Sequence, residues 1–369
     1  MNDERTDNLM PMLLKMYVPV MLLSLVLPAA AGFIAALLIG KWWALALPVL
    51  FVLLSGLHLL YLFQLSRKKL KRERDWFEMK LDAEEKVKLR EFVFEIARRW
   101  ETPRPEDIRL SALSAAHVYE SKKGKRVLVI GGMALAALSK EALGAVLAHE
   151  LNHFAGGDTA KHWENLAGFT MMSRLGALFR RGLGHHIDPA VWVLAAYQWF
   201  VELRYARHSR EREFACDARS AEHAGPVPTA AALIYLHALE EMPWANTMDV
   251  LAMTAGVGTA NTDVFTEQAR RAATAHPDDW AEATETVMQK RTRALDSHPC
   301  LRERLEAIDA TEEEGLEYLL SRESPPARTL MRDWRAVERK LSVKLTSAYQ
   351  IWRENRYGWG GLTLSEPEE

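Results

Sequence analysis

The segment AHELNHFAGGD, from Ala148 to Asp158, holds two histidines and a glutamate in the order H-E-x-x-H. On a helix, residues at i and i+4 project from one face a turn apart, so His149 and His153 can reach one ion. Glu150 is rotated about 100° from His149 around the helix axis. That keeps it out of the ligand set but close to a water on the ion. A carboxylate there can take the water's proton and later hand it to a leaving amine. Zinc in such a site brings water to a pKa of about 7, so hydroxide is available at neutral pH. The competing reading is an ordinary helix that happens to carry two histidines.

A working site of this kind needs a third ligand from another element. No histidine follows at the spacing of H-E-x-x-H-x-x-G-x-x-H, so that pattern fails. Sixty residues after His153 lies SREREFACDARSAE, with Glu213 and Asp217 at i and i+4. Glu213 would complete a His₂Glu set, with water as the fourth ligand. Asp217 could orient a ligand histidine by accepting its other N–H. A solvated charged helix is the alternative for this pair.

These residues need elements to hold them. Ser139 can cap a helix whose apolar positions are Leu143, Val146, Leu147, Leu151 and Phe154, stopped by Gly156 and Gly157. Upstream, residues 75–100 read as an amphipathic helix broken at Pro103 and Pro105. Residues 108–113, 116–119 and 126–130 read as short strands, with a turn at 122–125. Residues 229–310 read as helical throughout. A stripe of Leu330, Trp334, Val337, Leu341, Leu345, Tyr349 and Trp352 predicts a packed helix over 328–352, and the last nine residues a mobile tail. The pattern is mainly α with a small β-sheet, an α+β domain.

The N-terminus carries two uncharged stretches, residues 18–39 and 42–63, each of 22 residues. As helices they would be roughly 33 Å long, the thickness of a bilayer's hydrocarbon core. Pro19, Pro28 and Pro48 are tolerated in membrane helices. Ala29 to Ala31 could pass for a signal-peptide cleavage site, but Asp3, Glu4 and Asp7 make a poor leader and a second apolar span comes directly after the first. The two-residue link predicts a transmembrane hairpin. Arg67, Lys68, Lys69, Lys71, Arg72 and Arg74 then place the rest of the chain on the cytoplasmic side. His58 would make a polar contact inside the hairpin. Residues 166–183 carry three arginines and 190–201 are too short to span, leaving a buried or an interfacial place open for both.

The formal net charge of −2 in 369 residues gives no basic surplus for nucleic acid and no acidic surplus for disorder. Two cysteines, Cys216 and Cys300, are too few for a disulfide framework and read as free buried thiols in a reducing compartment.

Taken together, the two-span hairpin, HELNHFAGGD, SREREFACDARSAEHAG and SHPCLRERL resemble the HtpX-like membrane zinc metallopeptidases over roughly residues 10–310. CAAX prenyl-protein endopeptidases are more distant relatives. The resemblance implies a zincin-like metallopeptidase domain with one Zn²⁺ on His149, His153 and Glu213, Glu150 as general acid and base, and Asp217 behind the ligands. It also matches His298 with a histidine that stabilises the oxyanion or holds substrate, and Arg304 with a supporting arginine of the catalytic set. Asp158 matches too, though a helix cap explains it. An edge strand before the motif helix would take a peptide as an added strand, through Ala116, His117 and Val118. The asparagine usual at this strand is missing here, and so are clear third and fourth spans.

The organisation expected is an N-terminal segment at 1–17, a transmembrane hairpin at 18–63, a basic juxtamembrane stretch and helix at 64–104, a peptidase domain at 105–310, and a helical extension with its tail at 311–369. The expected function is a zinc endopeptidase of a bacterial inner membrane, facing the cytoplasm and cutting membrane or misfolded proteins. A CAAX-type endopeptidase and a catalytically silent membrane adaptor are the alternatives. Protein substrates and lipid are the expected partners, with nucleic acid excluded and the oligomeric state open.

Overall fold

The N-terminal segment folds as one unbroken helix, α1 (Asp3–Ile39), which takes in the polar leader as well as the first apolar stretch. Gly40 turns the chain with φ +68°, a conformation open to glycine at no steric cost. A 3₁₀ turn over Trp42–Leu45 leads into α2 (Ala46–Ser66), which packs on α1. The helices come close where Gly32 faces Pro48. These features come from a computed structural model that describes residues 3–66, 77–112, 116–121, 124–155, 189–242, 263–321 and 325–355. The six cations at 67–74, the segment 166–183, Asp158 and the last nine residues lie outside the described residues, as does the side chain of His58.

Two compact units emerge. The first has α1, α2 and the N-terminal part of α6 (Pro189–Ala224) as its described helices. In α1, Leu22–Ile39 is long and apolar enough to cross a membrane; the apolar run of the second helix, Trp43–Leu54, is shorter. Leu22, Val26, Ile34, Leu38, Leu50 and Leu54 are exposed on these helices. The stretch at 190–201 becomes the start of α6, with Leu194 and Val201 buried and Trp192, Trp199 and Phe200 exposed. Within this unit the Tyr197 hydroxyl donates to the Leu13 carbonyl (2.6 Å).

The second unit is built on a four-stranded mixed sheet, β1 (Glu78–Lys80), β2 (Asp107–Ser111), β3 (Ala116–Glu120) and β4 (Arg126–Gly131), in the order β1-β2-β4-β3. β2 and β4 are parallel, with Ile108 opposite Leu128; β3 returns antiparallel, with Val118 opposite the same Leu128. The helix expected over 75–100 begins only at Val87, as α3 (Val87–Arg99), burying Leu89, Val93, Ile96 and Ala97. Glu78–Lys80 is instead a strand paired antiparallel with β2. A three-residue strand is stabilised by its partner some thirty residues away, which local periodicity does not register.

After β4 come α4 (Gly132–Ala137) and α5 (Lys140–Ala155). Ser139 caps α5 as expected, its Oγ accepting from the Ala142 N–H (3.0 Å). α5 is buried on nearly all sides from Ala142 to Ala148, between α3, β3 and α7 (Pro226–Ala238). Beyond α7 lie α8 (Val264–Thr274), α9 (Pro277–Met288), α10 (Leu301–Ala307), α11 (Glu312–Ser321) and, after a 3₁₀ turn over Ala327–Leu330, α12 (Trp334–Asn355). Residues 229–310 are therefore not helical throughout. Proline starts α7 and α9, and residues 290–300 form no helix before Pro299 and α10. The C-terminal stripe is helical as read, with Val337, Leu341 and Leu345 buried in the same core as Trp280, Tyr235 and Phe265.

Candidate metal centre

α5 places His149 and His153 one turn apart, with their Nε2 atoms 3.3 Å from each other. α6 brings Glu213 across from them. Its Oε2 lies 3.5 Å from His149 Nε2 and its Oε1 3.6 Å from His153 Nε2. Two histidine nitrogens and the two oxygens of one carboxylate thus face one another at similar distances, with three residues around one point. A tetrahedral ion with bonds of about 2.0–2.1 Å requires donors roughly 3.3–3.4 Å apart, so the set fits zinc.

The stripe of α6 that faces α5 is polar and buried: Glu213, Cys216, Asp217 and Ser220 recur at helical spacing. Ser220 fixes the register, its hydroxyl donating to the Ala145 carbonyl (2.6 Å). Asp217 Oδ1 lies 3.0 Å from His149 Nδ1. With that nitrogen as donor, the lone pair of Nε2 is left for the cluster. Cys216 Sγ takes the matching place behind His153, 3.7 Å from Nδ1. Cys216 thus groups with the two histidines as a candidate ligand, its sulfur within 4.8 Å of a nitrogen on each. Its contact, however, is with the outer ring nitrogen. The donor triangle is closed by Glu213, and Cys216 braces His153 from behind.

Arg304, from α10, is buried and donates twice to Asp217, from Nε to Oδ2 and from Nη2 to Oδ1, both at 2.7 Å. Nη2 is also 3.7 Å from Glu213 Oε2. Two of its nitrogens are thus engaged by Asp217, and it holds the carboxylates from behind. His298 lies in the irregular 290–300 segment, its Nδ1 3.1 Å from Glu213 Oε2 and its side chain 66% exposed.

The electrostatics favour a cation at the centre of the triangle. Burial works against charge on His149, but the Asp217 and Glu213 carboxylates outweigh it and raise its pKa to about 10. His153 is likewise raised to about 9 against burial, by the Cys216 thiol and by Glu150 and Glu213. Burial would neutralise Glu213, yet His149, His298 and Arg304 hold its carboxyl far below the usual range. Glu150, next along α5 and half-buried, makes no hydrogen bond or ion pair among the described residues. Its carboxylate is free to work on a proton.

β3 is the edge of the sheet and lies beside α5. Ala116 and Val118 pack against the core, whereas His117 stacks on Tyr119 and places Nε2 3.5 Å from Glu78 Oε1. The His117 side chain thus lies against Tyr119 and Glu78. The Tyr119 hydroxyl donates to Glu78 (2.9 Å), and Arg109 reaches both. Sequence reading missed this cluster; only the strand register brings Glu78, Arg109 and Tyr119 together.

The sequence model of peptidase family M48 matches residues 83–312, more than half of the chain. The chain belongs to peptidase family M48. Within it the chain is an HtpX- and CAAX-protease-like metallopeptidase. No curated protein matches it. The M48 match opens before α3 and closes at the start of α11. It takes in the whole donor triangle, Asp217, His298 and Arg304, and leaves out α1, α2 and α12.

Proposed function

We propose that this M48 metallopeptidase is a zinc-dependent endopeptidase, anchored in a membrane, that hydrolyses peptide bonds of membrane or misfolded proteins. The reading rests chiefly on the His149–His153–Glu213 triangle beside an uncommitted Glu150. Zinc held there supplies a Lewis acid that acidifies water and polarises a peptide carbonyl. Glu150 takes the proton of the attacking water and passes it to the leaving amine. Asp217, gripped by Arg304, keeps His149 in one tautomer and orientation. His298 has one ring nitrogen on Glu213 and the other to offer, on an exposed side chain, to the oxyanion of the tetrahedral intermediate.

The substrate is taken as an added strand on β3. The Ser121 N–H donates to the Lys125 carbonyl at the end of the β3–β4 pair. Counting back in twos along the register, His117 and Tyr119 direct their backbone groups at β4, and Ala116, Val118 and Glu120 direct theirs to the open edge. An extended peptide gains main-chain hydrogen bonds there with little demand on sequence, which suits unfolded substrates. The apolar exposed surface of α1 and α2 supports the anchor, and the cations at 67–74 support a cytoplasmic peptidase unit.

The test compares wild type and Glu150→Gln, purified as the full chain, for bound zinc and for cleavage of an unfolded protein. Equal zinc in both, with cleavage lowered by roughly 10²–10⁴ in the variant, is expected. Absence of zinc from the wild type, or equal cleavage by both, overturns the reading.

A further inference from the structure

Residues 290–300, between α9 and α10, carry His298 and form no helix or strand. The His298 side chain is 66% exposed, so packing does little to hold its ring on Glu213. Its aim has to come from the backbone beneath it. α10 begins directly after this segment, and its N-cap is Cys300, whose side chain makes no capping hydrogen bond. Serine, threonine, aspartate and asparagine are the residues that cap well. In a capping box, the acidic residue three places into the helix reaches back to the N-cap N–H. Glu303 stands at that place in α10.

Thr292, eight residues before Cys300, stands between the two. Its hydroxyl accepts from the Cys300 N–H (2.7 Å) and donates to Glu303 Oε2 (2.7 Å). One hydroxyl uses both its capacities, and the capping box is relayed through it. The bond closes residues 292–300 into a ring, with His298 just before the closure. α10 itself is fixed several times over. Arg302 donates to the Met288 carbonyl at the end of α9 (2.8 Å), Leu301 and Leu305 are buried in the core, and Arg304 holds Asp217. Pro299 is buried and secures one side of His298. The Thr292 bond keeps the turn around it from opening.

We infer that Thr292 is a positioning residue: by bridging Cys300 and Glu303 it closes the 292–300 loop and so sets the His298 ring on Glu213. This role rests on the one proposed above for His298. Loss of an oxyanion donor costs roughly 10²–10³ in rate, and a misplacement of about 1 Å can cost up to about 10². A plain helix cap would affect stability alone, with no dependence on His298.

The test uses the full chain and reads bound zinc, amide exchange and cleavage of an unfolded protein. Thr292→Val keeps the side chain's shape and removes its hydroxyl. It should bind as much zinc as wild type and exchange the Cys300 amide on the order of tenfold faster. Its kcat should fall by about 10- to 100-fold, with KM nearly kept. Thr292→Ser, which retains the hydroxyl, should restore both exchange and rate. Cys300→Pro removes the same bond from the donor side, at φ −67° where proline fits, and should lower kcat alike. In a His298→Ala background Thr292→Val should cost nothing more, because the group it positions is gone. Three results overturn the inference: Cys300 exchange unmoved by Thr292→Val, kcat unmoved while exchange accelerates, or a further loss in the His298→Ala background. A fully active His298→Ala that still binds zinc and still requires Glu150 also overturns it, and it alone. A wild type that cleaves nothing, or that cleaves no better than Glu150→Gln, overturns the proposed function together with it.

Discussion

Glu213, Cys216 and Asp217 share one stripe of α6, and which histidine nitrogen each one meets decides what it can do. Glu213 meets the inner Nε2 atoms of both histidines, Asp217 the outer nitrogen of His149, and Cys216 the outer nitrogen of His153. Cys216→Ser is therefore expected to keep its full complement of zinc, and Asp217→Asn to bind zinc about 10- to 100-fold more weakly, as is usual when the group orienting a ligand histidine is lost. Zinc content after dialysis against a graded chelator reads both. Loss of zinc from Cys216→Ser would make the thiol a ligand and Glu213 a bystander. At this scale the sequence carried the donors well. His149, Glu150 and His153 are set by helical spacing and donor chemistry, which are local properties, whereas Glu213, sixty residues on, is singled out by donor type and by the family resemblance. It carried orientation poorly. Nothing in a string of residues says that Arg304 turns its guanidinium onto Asp217, or that His117 lies against Glu78.

At the scale of elements, β3 combines an open edge with a position beside α5, and its two backbone faces separate binding from folding. Val118→Pro removes an N–H that points outward, so the β3–β4 ladder survives and KM for an unfolded substrate should rise several-fold with kcat nearly kept. Tyr119→Pro removes an N–H that points at β4 and should destabilise the fold instead. Equal kinetics for Val118→Pro and wild type would remove β3 from substrate binding. Beneath this strand, Glu78 ties three strands together. Burial opposes its charge, but His117, Tyr119 and Arg109 hold its pKa below the usual 4.5. Its folded pKa being the lower one, the stabilisation is complete above about 4.5 and is lost as pH falls through the folded value. Glu78→Gln should cost roughly 1.5–3 kcal/mol at neutral pH. It should also flatten the fall of melting temperature on acidification, and parallel acid limbs in the two proteins would contradict this. The elements that sequence reading placed best, α5 with its Ser139 cap and the helix around Val337, Leu341 and Leu345, have long runs of one periodicity. Those it misplaced, β1 and the irregular segment carrying His298, are short and owe their form to distant partners.

At the scale of the whole molecule, the boundary of the M48 match and the boundary of the fold do not coincide. The match ends at residue 312, yet α12 lies in the same core as the residues matched. Leu330, Met331, Val337, Leu341 and Leu345 are all buried there, and Gly132 at the start of α4 leaves the space that the Leu341 side chain fills. Polar ties run along the same path: Glu338 accepts from the Thr266 N–H and hydroxyl, and Lys344 donates to the Glu78 carbonyl (2.5 Å) on the edge of the sheet. Each buried aliphatic side chain contributes about 1.5–3 kcal/mol, so five of them contribute on the order of 10 kcal/mol. A typical domain has only about 5–15 kcal/mol of net stability in all. A chain ended at Ser321 keeps every residue of the metal centre and the whole M48 match. It is nonetheless expected to lose cooperative melting and to be degraded on expression, because it exposes the α4 and α8 surfaces that α12 covers. Supplying residues 325–355 as a separate peptide should restore part of the cooperative transition. If the truncated chain instead melts cooperatively at the wild-type temperature, α12 is an accessory laid over a finished fold. The buried stripe at Val337, Leu341 and Leu345 argues that the peptidase fold is completed by residues the family pattern does not contain.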